Sequence, residues 1–211
     1  MGVTKEAAAE NRQRILAAAE RLFREKGVDA VGLTELMKEA GFTQGGFYNH
    51  FKSKEALVSE VLKRAVEEGV QELSDAIAHS QAKGIDPLTR QINWYLSPEQ
   101  RDDIECGCAM AKFAGDIPRL TKEAQSSYAE ALERTFEQMT AMIRFQKPPI
   151  SKKDAHGKAI ALYAQMVGSL LLSRAVSTGN PKLADEILKQ TRTEIFADLS
   201  RTVTGTGRRS K

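Results

Sequence analysis

An all-helical protein is predicted from three observations on this sequence. Apolar residues recur at the three- and four-residue spacing of an amphipathic helix over most of its 211 residues. We find no convincing run that alternates apolar and polar residues with the period of two that half-buried strands show. All six prolines lie after residue 86, each where an apolar period starts or stops. Helices packed against helices are therefore the expected architecture.

The composition predicts a soluble chain whose stability comes from an apolar core. Hydrophobic residues make up 41% of the chain and charged residues 28%, which is too apolar for a disordered protein. No apolar run approaches the roughly 18 to 20 residues that span a bilayer, and the first residues lack the apolar segment of a signal peptide. We therefore expect a cytoplasmic protein with no membrane partner. A net charge of +3 permits a nucleic-acid partner without requiring one.

Four helices are expected before the first proline. The first covers 5–26, where apolar residues form one stripe and Gly27 supplies a left-handed end. The second closes at Gly41 and has apolar residues at i, i+3, i+4 and i+7. These residues are Leu33, Leu36, Met37 and Ala40. Thr43 is the expected N-cap of a third, short helix, and Ser53 is that of a long fourth helix.

Prolines and polar caps divide the remainder of the chain into five further helices. They are expected over 87–96, 108–117, 121–145, 152–178 and 181–202. The expected caps in this part are Asp86, Ser97, Thr121 and Ser151. The last residues, 203–211, are predicted to form a frayed tail.

A helix-turn-helix is predicted within residues 33–54, which read as a short helix, a tight glycine turn and a second short helix. Gly41 permits the positive φ of the turn, and Ala40 leaves room for the two helices to approach. The second helix exposes small or amide-bearing residues that let a backbone lie close to base edges in a major groove. They are Gln44, Gly45, Gly46 and Asn49. No acidic residue interrupts the segment between Gly41 and Ser53, which favours contact with phosphates.

The run Thr43-Gln-Gly-Gly-Phe-Tyr-Asn-His-Phe-Lys-Ser-Lys-Glu-Ala-Leu57 resembles the signature of the TetR/AcrR family of one-component transcriptional regulators. The resemblance extends over roughly residues 12–62. It implies a homodimer, most often a repressor, that binds a palindromic DNA operator and is released by a small-molecule effector. It also implies a DNA-binding domain over 1–52 and an effector-binding and dimerisation domain over 53–202, with 53–83 as the connecting helix.

The resemblance assigns roles to individual residues of the second short helix and its surroundings. It places Gln44 and Gly46 near base edges, and gives phosphate contact or support of the helix to Thr43, Tyr48, His50 and Lys54. With Thr34, Gly45 and Asn49 these complete the predicted DNA-binding set. This chain departs from the family at Gly32, where Ser or Thr is often found, and at Thr34, where a basic residue is common. Gln44 replaces a frequent Lys with an amide that can pair with adenine through two hydrogen bonds.

A dimer interface is predicted on the last two helices, because the apolar face of 152–178 is too wide for one small domain to bury. Two such helices and their two-fold mates would form a four-helix interface. The predicted interface residues are Tyr163, Val167, Leu171, Ile187, Ile195 and Leu199. A two-fold dimer would also hold two reading helices about 34 to 36 Å apart, the spacing of successive major grooves.

An effector pocket is predicted among the middle helices, where aromatic and methionine side chains are concentrated. The candidate residues are Trp94, Tyr95, Met110, Phe113, Tyr128, Phe136, Met139 and Met166. Ordinary core packing is the alternative for each of them. Cys106 and Cys108 could sense an oxidant or bind a soft metal, although incidental thiols are favoured because no further cysteine completes a site. We expect no cofactor and no metal.

Two other classes of function were weighed against DNA binding. An enzyme is disfavoured because the chain lacks a nucleophile elbow, a phosphate-binding loop and a metalloprotease motif, and its histidines are widely scattered. A protein-interaction module is disfavoured because the Gln-Gly-Gly surface lacks the Trp, Tyr and Arg side chains that dominate protein hot spots. A DNA-binding regulator is the interpretation that the residues favour.

Overall fold

The computed structural model describes residues 4–104, 107–145 and 150–204, with side chains as far as residue 200. Within these ranges all regular secondary structure is helical. The α-helices are α1 (Lys5–Lys26), α2 (Leu33–Glu39), α3 (Lys54–Ala82), α4 (Pro87–Tyr95), α5 (Pro98–Asp102), α6 (Ala109–Phe113), α7 (Lys122–Phe145), α8 (Lys152–Val176) and α9 (Pro181–Thr204). Two 3-10 helices, Gln44–Asn49 and Ile117–Arg119, precede α3 and α7.

The helices form two compact units. The first contains the described residues of Met1–Gly69 and Ile104–Leu132, and the second those of Val70–Asp103 and Glu133–Lys211. The helix α3 therefore begins in the first unit and ends in the second. The predicted boundary at residue 52 divides the chain by function and stays a prediction.

In the first unit, α1, α2 and the 3-10 helix Gln44–Asn49 enclose an apolar core. Ile15, Leu36, Met37 and Phe47 are fully buried there. Burial of each such side chain contributes about 1.5 to 3 kcal/mol. The core fixes α2 and the 3-10 helix against α1, so that the residues between them form a defined turn.

The turn after α2 is held by its glycine and by an arginine of α1. Gly41 has a φ of 82°, and its amide donates to the carbonyl of Lys38 at 3.0 Å. Arg14 donates to the carbonyl of Ala40 at 3.0 Å, and its guanidinium lies 4.7 Å from the centre of the Phe42 ring. The positive φ favours glycine at this position, and a β-carbon there would lie 2.7 Å from the Arg14 guanidinium, which would have to shift.

A second contact of α1 holds the segment before α6. The Arg24 side chain is only 7% exposed, donates to the carbonyl of Gly107 at 2.6 Å and forms an ion pair with Glu20 at 2.9 Å. Two further bonds lie nearby, from the amide of Val28 to Asp116 and from Arg119 to Asp29. The residues around α6 are thereby tied to the end of α1 and the loop that follows it.

In the second unit α8 packs against α9, α4 and α5. The Ser173 hydroxyl donates to the carbonyl of Ala184 at 2.8 Å and so joins α8 to α9. Arg174 donates to the carbonyls of Gln100 and Arg101, at 2.8 and 3.0 Å, where α5 ends. These charged bonds satisfy carbonyls that a helix C-terminus leaves without an internal donor.

Most of the predicted helices are confirmed, and two expectations need correction. The structure adds α5, which is too short to show an apolar period; Ser97 as cap with Pro98 in the first turn was its available signal. The helix expected over 108–117 ends at Phe113 and resumes as a 3-10 helix at Ile117. The break contains Gly115, a poor helix former, and precedes Pro118, which lacks an amide donor.

The predicted caps Asp86, Ser97, Thr121 and Ser151 each accept a hydrogen bond from a backbone amide in the first turn of the helix that follows. Thr43 occupies the N-cap position of its helix but makes no side-chain capping bond. The predicted tail begins later than expected, because α9 continues to Thr204, and 205–211 lie outside the described residues.

Among the described helices α8 is the one that is long and apolar enough to cross a bilayer by length and composition. One helix of this kind is weak evidence for a membrane span, since core helices of water-soluble proteins pass the same test.

Candidate nucleic-acid interface

The 3-10 helix Gln44–Asn49, here called the recognition helix, has one buried and one exposed face. Phe47 is fully buried, and its ring stacks on Phe51 with 5.7 Å between the ring centres. On the other face Gln44, Gly45 and Asn49 are exposed, and Tyr48 is 67% exposed. An exposed aromatic ring and two amide side chains thus surround a stretch of bare backbone.

The two glycines of this face are not required by the fold itself. Neither Gly45 nor Gly46 has a positive φ. A β-carbon at Gly45 would meet no atom within 4 Å, and one at Gly46 would lie 3.8 Å from the Met37 side chain, an ordinary contact distance. Glycine within a helix costs about 0.5 to 1 kcal/mol relative to alanine. Among the described residues, neither backbone conformation nor space requires these two glycines.

A hydrogen bond connects α2 with the recognition helix on the solvent side. The hydroxyl of Thr34 donates to the amide oxygen Oε1 of Gln44 at 2.8 Å. Both side chains are exposed. Both residues belong to the predicted DNA-binding set, but the sequence does not show that they contact each other.

Aromatic packing orients the side chains at the end of the recognition helix. The Tyr48 ring meets Phe47 edge to face at 5.3 Å, which leaves its hydroxyl in solvent. His50 is half-buried, and its ring centre lies 6.4 Å from that of Phe42. Both polar groups are therefore carried on rings that each contact a neighbouring phenylalanine.

The cationic side chains near the recognition helix fall into two groups. In the first group each cation bonds to another residue of the first unit. Arg12 forms an ion pair with Glu60, and Lys26 forms one with Glu35. The Lys54 ammonium donates a hydrogen bond to the carbonyl of Val28 at 3.0 Å. The hydrogen bonds to the two glutamates raise the pKa of Arg12 and the pKa of Lys26. Lys54 thus makes a supporting contact, and its predicted phosphate contact stays a prediction.

The second group keeps its charge in solvent. Lys38 and Lys52 are exposed, and their ammonium groups form no hydrogen bond or ion pair with any residue of the described ranges. Lys52 stands between the recognition helix and α3. It was not included in the predicted DNA-binding set, because Lys54 at the helix start was preferred and Lys52 was interpreted as a solvated charge.

The start of α3 is already occupied by groups of this chain. The Ser53 hydroxyl accepts from the amide of Ala56 at 3.2 Å. The Glu55 carboxylate accepts hydrogen bonds from its own backbone amide and from Ser53, which lower the pKa of that carboxyl. The amides of this helix start are therefore less available to a phosphate.

Residues 15–61, which contain this whole face, match the family model described as bacterial regulatory proteins, tetR family. The comparisons support a TetR-family transcriptional regulator, and the family match itself lies in this N-terminal segment.

Two curated regulators illustrate the similarity. The transcriptional regulator AcrR of Shigella flexneri is 50% identical over 58 residues, which are 28% of this chain and 27% of that protein. The transcriptional repressor NemR of Escherichia coli K12 is 26% identical over 118 residues, 56% of this chain and 59% of that protein. The chain thus spans less than two thirds of the length of either relative. These relatives are transcriptional regulators and not enzymes.

The likeness to a solved structure extends over nearly all of the chain. A TetR transcriptional regulator from Chloroflexus aurantiacus superimposes with a TM-score of 0.72 at 21% identity, and the alignment covers 90% of this chain and 96% of that one. At this identity the likeness establishes the shared TetR fold.

The residues predicted to bind an effector are divided between the two units. Met110, Phe113 and Tyr128 lie in the first unit, and the remainder lie in the second. The Tyr128 hydroxyl donates to the carbonyl of Met110 at 2.8 Å, and burial together with the nearby Cys108 raises the pKa of Tyr128 to about 12.

In the second unit the candidate effector residues differ in exposure. Tyr95, Met139 and Met166 are buried, Phe136 is half-buried, and Trp94 is 50% exposed. The Phe136 and Tyr163 rings meet edge to face, with their centres 5.9 Å apart. Cys108 is half-buried, and Cys106 lies outside the described residues.

The predicted dimer residues also differ in exposure. Tyr163 and Ile195 are 6% and 3% exposed, so both belong to the core of the second unit. Leu171 is 39% exposed, and Val167, Ile187 and Leu199 are half-buried. Other large apolar side chains of α8 and α9 are exposed as well: Ile160, Leu172 and Leu183.

Proposed function

We propose that this TetR-family chain is a ligand-responsive transcriptional regulator that acts as a repressor in the cytoplasm. It binds a palindromic operator in double-stranded DNA as a homodimer, and a small-molecule effector releases it. The observation that carries the proposal is the exposed face of the recognition helix, where bare backbone at Gly45 and Gly46 lies between Gln44, Tyr48 and Asn49.

The chemistry of this face suits a major groove. The glycines allow close approach of the backbone, the amides of Gln44 and Asn49 can donate to and accept from base edges, and the Tyr48 hydroxyl can reach a phosphate. Thr43 and His50 lie at the two ends of the same helix, and Lys52 adds a free charge beside it. A phosphate contact gives affinity, whereas the amides give sequence preference.

Homodimerisation through α8 and α9 is supported by their exposed leucine and isoleucine side chains. Ile160, Leu171 and Leu172 are exposed on α8, and Leu183 is exposed on α9. A helix pair that leaves such residues in water gains free energy when a second copy covers them. The two-fold symmetry of such a pair would match the symmetry of a palindromic operator.

Effector release follows if the effector and the operator favour different tilts of α3. This helix begins at Lys54, shortly after the recognition helix, and ends in the second unit. In the second unit the side chain of Gln138 donates to the Val70 carbonyl and to Ser74 of this helix. An effector held in the second unit can then shift the equilibrium between two spacings of the reading helices. Linkage requires that operator and effector weaken each other's binding by the same factor.

Selection of bound fragments from random duplex DNA tests the proposal. We expect enrichment of one inverted repeat whose half-sites are separated by about one helical turn, or 10 to 10.5 base pairs. Binding should also weaken steeply between two salt concentrations, because phosphate contacts release counterions. Failure to enrich any sequence, with binding equally weak at both salt concentrations, would exclude DNA as the partner.

A further inference from the structure

We infer that Thr34 is a specificity-determining residue that acts through Gln44: its hydroxyl holds the side-chain amide of Gln44 in one position toward the base. This inference rests on the proposed function, because it requires that the recognition helix reads a base. Thr34 is a positioning residue in this account, and Gln44 makes the contact with DNA.

The two residues are on neighbouring, well-anchored elements. Thr34 is in the first turn of α2, whose Leu36 and Met37 are fully buried. Gln44 opens the recognition helix, whose Phe47 is fully buried. The backbones that carry the two side chains are therefore fixed with respect to each other. Threonine is branched at its β-carbon and has few χ1 rotamers, so its hydroxyl is a defined anchor for a flexible glutamine.

The hydrogen bond fixes where the glutamine amide lies. The Thr34 hydroxyl donates to Oε1 at 2.8 Å, and in this arrangement the amide nitrogen Nε2 lies on the opposite branch, away from Thr34. A hydroxyl can donate or accept, so the bond restricts the rotamers of the glutamine side chain and leaves the choice of oxygen or nitrogen to the base. Both hydrogens of Nε2 and one lone pair of Oε1 stay available. This is the set of groups that pairs with adenine, in which N7 accepts a hydrogen bond and the N6 amino group donates one.

Without the threonine hydroxyl the same glutamine side chain would sample several rotamers. Contact with the matching base would then have to order that side chain, at a cost in conformational entropy, and discrimination between bases would fall. Loss of one neutral hydrogen bond that organises the contact should lower the preference for the matching base about three- to tenfold. Preferences at other positions of the operator should not change.

A direct contact of Thr34 with a phosphate is the competing interpretation, and it makes a different prediction. Phosphate contacts contribute affinity on every sequence alike. Loss of such a contact would weaken all operators by one factor, and it would do so whether or not Gln44 is present.

The test measures affinity for the selected operator and for every single-base variant of it. The proteins are the full-length wild type, Thr34→Val, Thr34→Ser, Gln44→Ala and the double variant Thr34→Val/Gln44→Ala. Thr178→Val is the matched control, since Thr178 is an exposed threonine in the turn after α8 of the second unit. Thr34→Ala serves as a second variant without the hydroxyl, and circular dichroism establishes that each protein is folded.

The expected result has three parts. Thr34→Val and Thr34→Ala lose preference at the one base pair where Gln44→Ala loses it, Thr34→Ser retains it, and Thr34→Val has no further effect when Gln44 is already alanine. A uniform loss on all sequences, or a loss that persists in the Gln44→Ala background, would overturn the role of Thr34 and leave the proposed function intact. If the wild type enriches no sequence at all, the proposed function fails and this inference fails with it.

Discussion

At the scale of single residues, the exposed face of the recognition helix is made of residues that the fold does not need. Gly45 lacks a positive φ and has open space around it, and Tyr48 and Asn49 extend into solvent. A basic residue is common at positions 34 and 44 in the family, yet here Thr34 and Gln44 bond to each other. Gly45 lowers the stability of its helix, and Thr34 and Gln44 carry no charge, so these residues are explained by the surface that they form and not by stability or net charge.

Gly45→Ala should change the stability of the protein and its affinity for DNA in opposite directions. The added methyl group meets no atom of the chain, so the free energy of unfolding should rise by about 0.5 to 1 kcal/mol. Affinity for the operator should fall by about tenfold, or 1.4 kcal/mol, because the methyl group separates backbone and base edge. Denaturant unfolding and operator titration measure the two effects.

Gly157→Ala is the matched control for this substitution. Gly157 is an exposed glycine in α8 whose added β-carbon would also meet no atom within 4 Å. It should raise stability by a similar amount and leave operator affinity unchanged. Equal operator affinity for Gly45→Ala and the wild type would show that the glycine face is not a DNA contact.

Lys52→Ala and Lys54→Ala should differ, because only the second lysine is engaged within the unit. Loss of Lys52 should reduce the slope of log affinity against log salt by about one and leave the unfolding free energy unchanged. Loss of Lys54 should lower the unfolding free energy by about 1 to 2 kcal/mol, since the Val28 carbonyl loses a charged donor. A salt slope that Lys52→Ala does not change would remove Lys52 from the interface.

At the scale of elements, sequence periodicity was sufficient where a helix is long and has caps. The bounds of α1, the start of α8 at Ser151 and the turn at Gly41 follow from apolar spacing, capping residues and glycine. Short elements were harder, since α5 and the 3-10 helix Ile117–Arg119 contain fewer residues than an apolar pattern needs.

Contacts between distant parts of the chain could not be predicted from local pattern. Arg24 bonds a carbonyl that is 83 residues away, and Lys54 bonds one that is 26 residues away. In the candidate site the exposed residues were found because their types are unusual for a helix. The pairing of Thr34 with Gln44 and the burial of Tyr163 and Ile195 depend on tertiary packing, which periodicity does not encode.

Arg24→Met should destabilise the first unit by about 2 to 4 kcal/mol. The change removes a buried guanidinium, and it leaves Glu20 without its partner and the Gly107 carbonyl without a donor. Arg21→Met is the control on the same helix, because the pair of Arg21 with Glu39 is exposed and is worth under about 1 kcal/mol. Similar unfolding free energies for the two variants would contradict a structural role for Arg24.

At the scale of the whole molecule, the proposed regulator depends on two copies acting together. Leu171→Glu should weaken dimerisation by about a hundredfold, because a carboxylate placed in an apolar interface must lose its water. Ile85→Glu places the same charge at an exposed isoleucine outside α8 and α9 and should leave the association unchanged. Sedimentation equilibrium measures both, and unaltered association of Leu171→Glu would place the interface elsewhere.

Protection of operator purines from dimethyl sulfate reports which groove the recognition helix occupies, since the reagent methylates guanine at N7 in the major groove and adenine at N3 in the minor groove. We expect two clusters of protected guanines, centred about one helical turn apart on one side of the duplex, and weaker protection at both clusters with Gly45→Ala. A single cluster, or protection confined to adenine N3, would contradict a paired recognition helix that reads the major groove.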